Sequence, residues 1–138
     1  MSYWRLFYHF TWGTRNREPL IAAHLEVSLH NVIAAKAQEM GGIVHAVGGV
    51  EDHVHLAVSV PPRVAVSEFA RQVKGASSHF ANHGISLPYQ FAWQPEYGVV
   101  SFSNSQLNTV AAYVKHQREH HRQGTLIAAL ELIEEPTP

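Results

Sequence analysis

The sequence predicts an α+β fold: a ferredoxin-like, four-stranded antiparallel sheet in the order βαββαβ, with helices on one face and an extra C-terminal helix. Three observations predict it. Four segments carry the two-residue alternation or the aromatic and β-branched enrichment of strands. Three others carry apolar residues at helical spacing, two between the strands and one after the last. Gly41-Gly42 and Pro61-Pro62 punctuate the boundaries.

The elements follow in order. "YWRLFYHFTWGT" reads as a strand with Leu6, Tyr8, Phe10 and Trp12 on one face and Arg5, Phe7, His9 and Thr11 on the other. "TRNREP" is a polar loop. A helix is expected from about Leu20 to Met40, with its stripe at Ile21, Leu25, Leu29, Val32 or Ile33, and Ala37. Gly41-Gly42 ends it. "IVHAVGGV" and "HVHLAVSV" are the second and third strands, joined by a hairpin turn expected over Gly48 to Asp52. Pro61-Pro62 stops the third strand. A second helix is expected from Val66 to His83, with Ser67 as its cap. "FAWQPEYGVVSFS" reads as a fourth, interrupted strand, because Pro95 cannot donate a ladder bond. A third helix is expected from Asn104 or Ser105 to Gly124, and "TLIAALELIEE" as a short terminal helix. Two helices on one face of the sheet leave the other free for a ligand or for the extra helix.

Composition bounds the function. The 138 residues suffice for one domain, expected over 1–124, followed by an acidic tail over 125–138. At 46% hydrophobic residues the chain can build a core. No apolar run approaches the ~20 residues of a membrane span. "MSYWRLFYHFTW" lacks the features of a secretory leader, so a cytoplasmic protein is expected, nucleoid-associated if bacterial. Without cysteine there is neither a disulfide framework nor a thiolate metal site. Net charge is −1, but residues 1–124 hold all 10 Lys and Arg against 8 acids, and Glu131, Glu134 and Glu135 make the tail acidic. A mildly basic body permits nucleic-acid binding without arguing for it. The 11 histidines are the anomaly, and they direct attention to metal binding.

"EDHVHLAVSVPP" carries the first candidate pair. Alternation puts His53, His55, Ala57 and Ser59 on one face, and Val54, Leu56, Val58 and Val60 on the other. The aliphatic set must face the helices, so the histidines face the free side. There they converge within ligand distance of one cation, although two histidines at a strand edge bonded to backbone satisfy the same pattern. "NTVAAYVKHQREHHRQG" carries the second pair: Tyr113 and Gln117 are four apart and stack on one helix face. By themselves they also read as a half-buried tyrosine and a solvent-facing glutamine. Together the pairs make chemical sense. A tyrosine oxygen can attack a phosphodiester. A cation held by imidazoles and an amide oxygen, Mg²⁺ or Mn²⁺, suits the phosphate. No carboxylate ligand is evident, and that with the missing thiolates argues against structural zinc.

The likeness then becomes specific. "EDHVHLAVSVPP" resembles the histidine-hydrophobic-histidine (HUH) motif of single-tyrosine transposases of small insertion sequences, IS200-like in the general sense, together with relatives associated with repetitive extragenic palindromes (REPs). "YHFTWGTRNREPLI" resembles their first strand and basic loop. "VKGASSHF", "WQPEYGVVSFS" and "YVKHQREHHR" resemble their second helix, fourth strand and tyrosine helix, in family order across roughly residues 3–125. The resemblance implies Tyr113 as nucleophile, and His53, His55 and Gln117 as metal ligands. Lys74, Ser77 and Ser78 match the second-helix motif and are candidate DNA contacts. Arg15, Arg17, Arg71 and Arg118 are basic candidates near the site. Glu96 and His116 depart from the residues many relatives carry, and His116 introduces a competing ligand. His9 is expected as a neighbour on the active face, and His120 and His121 as surface or supporting groups.

The resemblance further implies a transposase that cleaves and rejoins hairpin-marked single-stranded DNA through a 5′-phosphotyrosine, working as a homodimer. The rivals are a domesticated or non-catalytic module that binds hairpins or single strands, and a metal-dependent hydrolase. The hydrolase expects further carboxylates or histidines just after the pair, where "HLAVSVPP" has none.

Overall fold

Alternation along one strand sets the two faces of the sheet and, through them, the layers. The computed structural model describes residues 1–136. Its elements are β1 (Phe7–Gly13), α1 (Ala23–Glu39), β2 (Ile43–Val50), β3 (His53–Ser59), α2 (Val66–His83), β4 (Gly98–Phe102), α3 (Leu107–Lys115) and α4 (Gln117–Gln123). The strands form one antiparallel sheet in the order β2-β3-β1-β4, the ferredoxin-like arrangement expected above. Val54, Leu56, Val58 and Val60 face α1 and α2, and join a core with Phe10, Trp12, Leu25, Leu29, Ile33, Phe69 and Val73. Ile33, not Val32, carries the α1 stripe.

The opposite face is covered by α3, which packs on β2 and β3. A smaller apolar cluster forms there from Ala46, Ala57, Val110, Tyr113, Val114 and Leu130. Its helix can lie this close because residue 48 is glycine. A Cβ there would collide with the carbonyl of Val114. Gly48 pairs with His55 across the β2–β3 ladder, so the close approach brings the tyrosine helix beside the histidines.

Several boundaries differ from expectation. The first helix begins at Ala23, because Leu20 and Ile21 are buried in the preceding loop, with the Ile21 N–H donated to the Glu51 carbonyl at 2.9 Å. The hairpin turn is confined to Glu51 and Asp52, and Gly48 to Val50 stay in the ladder. Ala65 caps α2 without a side-chain bond, which leaves Ser67 inside the first turn. The expected third helix is broken at His116 (φ −110°, ψ 36°). There the His116 Nδ1 is 2.8 Å from the Ala112 carbonyl, which also accepts the His116 backbone N–H at 3.1 Å. The expected terminal helix is one 3₁₀ turn, Ala128–Leu130.

The segment after Gly124 is not a solvated end at its middle. Leu130 is buried, and Glu131 reaches back to the sheet. Thr137 and Pro138 of the expected tail lie outside the described residues. No helix among the described residues is long and apolar enough to cross a membrane.

Gly48→Ala tests the close approach. Overpacking of this kind costs about 1–3 kcal/mol, so the variant should unfold at lower denaturant concentration. An unchanged midpoint would show that α3 does not press on the sheet.

Candidate metal centre and tyrosine site

The site grows from β3. His53 and His55 are 2% and 0% exposed, on the face that α3 covers. His53 Nδ1 lies 2.6 Å from Asp52 Oδ1, and His55 Nδ1 lies 2.8 Å from His9 Nε2. Their other ring nitrogens, both Nε2, are buried without an aligned hydrogen-bond partner. Those two atoms face the Glu131 carboxylate at 3.5 and 3.3 Å, and His121 Nε2 faces it at 3.4 Å. One donor atom from each of His53, His55, His121 and Glu131 lies within 4.8 Å of all the others. Two donors each about 2.1 Å from one ion stand about 3.0–3.5 Å apart, so the carboxylate–imidazole spacings of 3.3–3.5 Å suit a shared cation, and the donors that stand as much as 4.8 Å apart would have to draw together around it. The two orphaned imidazole nitrogens point to the same fit, and the cluster could bind a metal.

Tyr113 closes the other side. It is 2% exposed. Its hydroxyl donates to Glu131 Oε2 and accepts the Ile127 N–H at 3.1 Å. Its ring stands edge-on to His55 with centroids 5.9 Å apart. Gln117 is also buried: its Nε2 donates to the Tyr113 carbonyl at 3.0 Å, and its Oε1 lies 3.1 Å from His121 Nε2. The amide thus caps the end of α3 and turns its oxygen toward the His121 imidazole. Tyr113 and Gln117 meet across the helix break rather than along one continuous helix.

Electrostatics tighten the arrangement. Burial raises the Tyr113 hydroxyl to about 12, with the Glu131 carboxylate adding to the effect. Burial would raise Glu131 too, but His53, His55 and Tyr113 hold it well below the usual carboxylate range. Burial disfavours charge on His53, yet Asp52 and Glu131 outweigh it and raise its pKa. At His55 burial wins and the pKa falls. His9 is pushed down to about 3, first by burial and then by His55.

Arg17 sits at the rim, its Nη2 3.4 Å from Asp52 Oδ1 and 3.2 Å from His53 Nδ1. Asn16 and Arg17 both hold left-handed backbone, at φ 56° and 55°. Arg118 spans from α4 to Glu26 at 2.9 Å and to Glu51 at 3.8 Å. A cleft of about 440 Å³, lined in part by Arg17, Arg118 and Arg122, opens onto His53 and His121. Arg15 is exposed beside it in sequence, in the turn after β1.

The second-helix candidates lie elsewhere. α2 packs on the aliphatic face, so the sheet separates Arg71, Lys74, Ser77 and Ser78 from the cluster. Ser77 is fully buried, donates to Val73 and Lys74 carbonyls, and accepts from Trp93 Nε1 at 3.0 Å. That corrects its expected contact with DNA: its hydroxyl is used inside the fold. Lys74 Nζ binds the carbonyls of Gln94, Pro95 and Glu96 at 2.7, 3.0 and 3.1 Å, holding the loop before β4. Ser78 bonds the Gly75 carbonyl, and the exposed Arg71 pairs with Glu68.

Sequence reasoning missed Glu131 and gave His121 only a supporting place. Glu131 also overturns the expectation that no carboxylate stands at the site. Its signal in the sequence was the apolar "LIAALELI" around it, which has no reason to be solvated. His121 lies four residues after Gln117, one helical turn along the same face. His116 is exposed and bonded to backbone, so it does not compete for the cluster.

Replacing Glu131 by Gln removes a negative charge that resists ionisation of Tyr113. The Tyr113 midpoint should fall below about 12, toward the ordinary tyrosine value, in a ¹³Cζ NMR titration. A midpoint that stays or rises would show that the carboxylate does not act on the hydroxyl.

Comparison with known proteins identifies the fold and the family. Over 121 residues the chain is 24% identical to the ISDra2 transposase TnpA of Deinococcus radiodurans, covering 84% of this chain and 86% of that protein. A candidate transposase structure from Deinococcus radiodurans R1 superposes with a TM-score of 0.67 at 22% identity, covering 91% of this chain and 92% of that one. A REP-associated tyrosine transposase bound to a REP hairpin superposes at 0.64 with 19% identity, over 88% and 74% of the respective chains. At these identities the two structures speak for the fold. The family model for IS200-like transposases matches residues 2–117, most of the sequence, and the chain belongs to that family.

Proposed function

We propose that this protein cleaves and rejoins single-stranded DNA at sites marked by hairpins, through a tyrosine–DNA link. The observation that carries the reading is the Tyr113 hydroxyl bonded to a carboxylate that also faces three imidazoles. Tyr113 Oη attacks a backbone phosphorus and forms a new P–O bond as the 3′ oxygen leaves. The products are a 5′-phosphotyrosine and a 3′ hydroxyl. The tyrosine proton has an acceptor in place at Glu131, and the departing 3′ oxygen takes up a proton. Attack by a 3′ hydroxyl on the phosphotyrosine reverses the step without a nucleotide cofactor.

His53, His55 and Gln117 would hold the divalent ion, Mg²⁺ or Mn²⁺, with His121 and Glu131 as additional donors beside them. When bound, the ion supplies charge that polarises the scissile phosphate. Arg17 and Arg118, with Arg122, line the cleft that opens onto His53 and His121, and we assign the incoming strand's phosphates to it. Arg15 extends the same basic rim. Arg71, Lys74 and Ser78 are proposed to meet DNA away from the cleavage position, as the sheet lies between them and the cluster. The REP-associated relative holds a REP hairpin, which supports a hairpin partner here. The working unit is proposed as a homodimer. Within one chain Tyr113 already stands against its own histidines, so each subunit would carry a site complete in cis.

One observation favours a second reading. His121 and Glu131 add the imidazole and carboxylate that a metal-dependent hydrolase needs. In that case water attacks and no covalent link forms.

Incubation with labelled hairpin-bearing single-stranded DNA and Mn²⁺ separates the readings. A denaturant-resistant protein–DNA adduct is expected, and Tyr113→Phe should abolish it. His53→Ala and His55→Ala, or a chelator, should abolish cleavage while hairpin binding persists. Cleavage that survives Tyr113→Phe without an adduct would establish the hydrolase. Binding without cleavage in any divalent ion would establish a hairpin-binding module.

A further inference from the structure

His9 is 1% exposed, titratable, and unused by the chemistry above. It lies on β1 two residues from Thr11, which pairs with His55, so His9 and His55 are diagonal neighbours on one sheet face. His9 Nε2 and His55 Nδ1 stand 2.8 Å apart, and the ring centroids 5.0 Å. Packing does not require an imidazole there. Phe7, two residues earlier on the same face, fills its place as a hydrocarbon ring.

We propose that His9 is a positioning residue: by accepting a hydrogen bond at Nε2, it keeps the His55 proton on Nδ1 and leaves His55 Nε2 bare toward the cluster. The inference rests on the metal reading given under the proposed function. A neutral imidazole has one N–H donor and one acceptor nitrogen, so a single hydrogen lies between the two facing nitrogens. With that hydrogen on His55 Nδ1, His55 Nε2 offers a lone pair. With it on His9 Nε2, His55 carries its proton on Nε2, where a cation would have to bind. His53 solves the same problem by other means. Its Nδ1 faces Asp52 Oδ1 at 2.6 Å, and a carboxylate can only accept. No carboxylate reaches the Nδ1 side of His55, because Glu131 lies on its Nε2 side. A neutral acceptor does that work without burying another charge in the sheet.

Two measurements on the full chain test the assignment. In the metal-free wild type the Glu131 carboxylate, 3.3 Å from His55 Nε2, itself draws a proton to that nitrogen, so the tautomer is read in Glu131→Gln, whose neutral amide can donate or accept: long-range ¹H–¹⁵N spectra should place the His55 proton on Nδ1 there, and adding His9→Phe should move it to Nε2. Calorimetric titration with Mn²⁺ should show affinity falling about 10–100-fold in His9→Phe. His9→Gln, which offers a carbonyl oxygen as acceptor, should recover most of that loss. A purely structural role would leave the tautomer unchanged and give Gln no advantage over Phe. The proposal is overturned if His55 of Glu131→Gln carries its proton on Nε2 while His9 is in place, or if folded His9→Phe binds Mn²⁺ as tightly as wild type. If His9→Phe fails to fold, the Glu131→Gln tautomer and the His9→Gln affinity decide. If the wild-type protein takes up no Mn²⁺, the metal reading fails, and the tautomer spectrum still decides the role of His9.

Discussion

Two imidazoles buried side by side on one face of a sheet constrain everything around them. Each buried polar nitrogen left unpaired costs about 1–3 kcal/mol, so the fold must bring partners to His53 and His55 or lose much of its stability. Asp52 comes from the hairpin turn, His9 from β1, and Glu131 from the segment after α4. The helix carrying Tyr113 seals the face against water, and the glycine at position 48 lets it settle there. Each of these features is intelligible once the two histidines must be buried and still kept available on one nitrogen each.

The unequal thickness of the two layers follows from the same arrangement. Among the described residues, seventeen buried side chains form one core on the aliphatic face, whereas six form the cluster under α3. Hydrophobic burial scales with apolar area removed from water. The helical layer therefore supplies most of the cohesion, and the chemical layer sits at the low-stability end of the molecule.

Local periodicity made much of this legible in the sequence. Alternation placed His53 and His55 opposite Val54 and Leu56, and helical spacing found the α1 stripe and both ends of α2. What escaped depends on contacts between distant segments. Glu131 looks like one more acid in an acidic end until Leu130 anchors its segment against the sheet. Ser77 belongs to a motif that suggests a DNA contact, but its neighbour in space, Trp93, takes its oxygen. At the break, His116 bonds the Ala112 carbonyl through both its N–H and its ring Nδ1, at 3.1 and 2.8 Å, and no spacing rule reveals that doubled contact. Of the proposed site residues, His53, His55 and Tyr113 lie together around one carboxylate, and Gln117 joins them through the Tyr113 carbonyl and His121, a convergence that period-two and period-four reasoning could suggest but not demonstrate.

The left-handed pair Asn16–Arg17 sets stability against charge. Non-glycine residues in that region carry a backbone penalty of order 1–3 kcal/mol each, and Arg17 accepts it while holding its guanidinium beside His53. Glycine at position 17 would relax the backbone and strip a cation from the cleft at the same stroke. Selection for heat resistance alone would favour that exchange, so a thermostable variant of this protein could keep its fold while losing the charge beside His53.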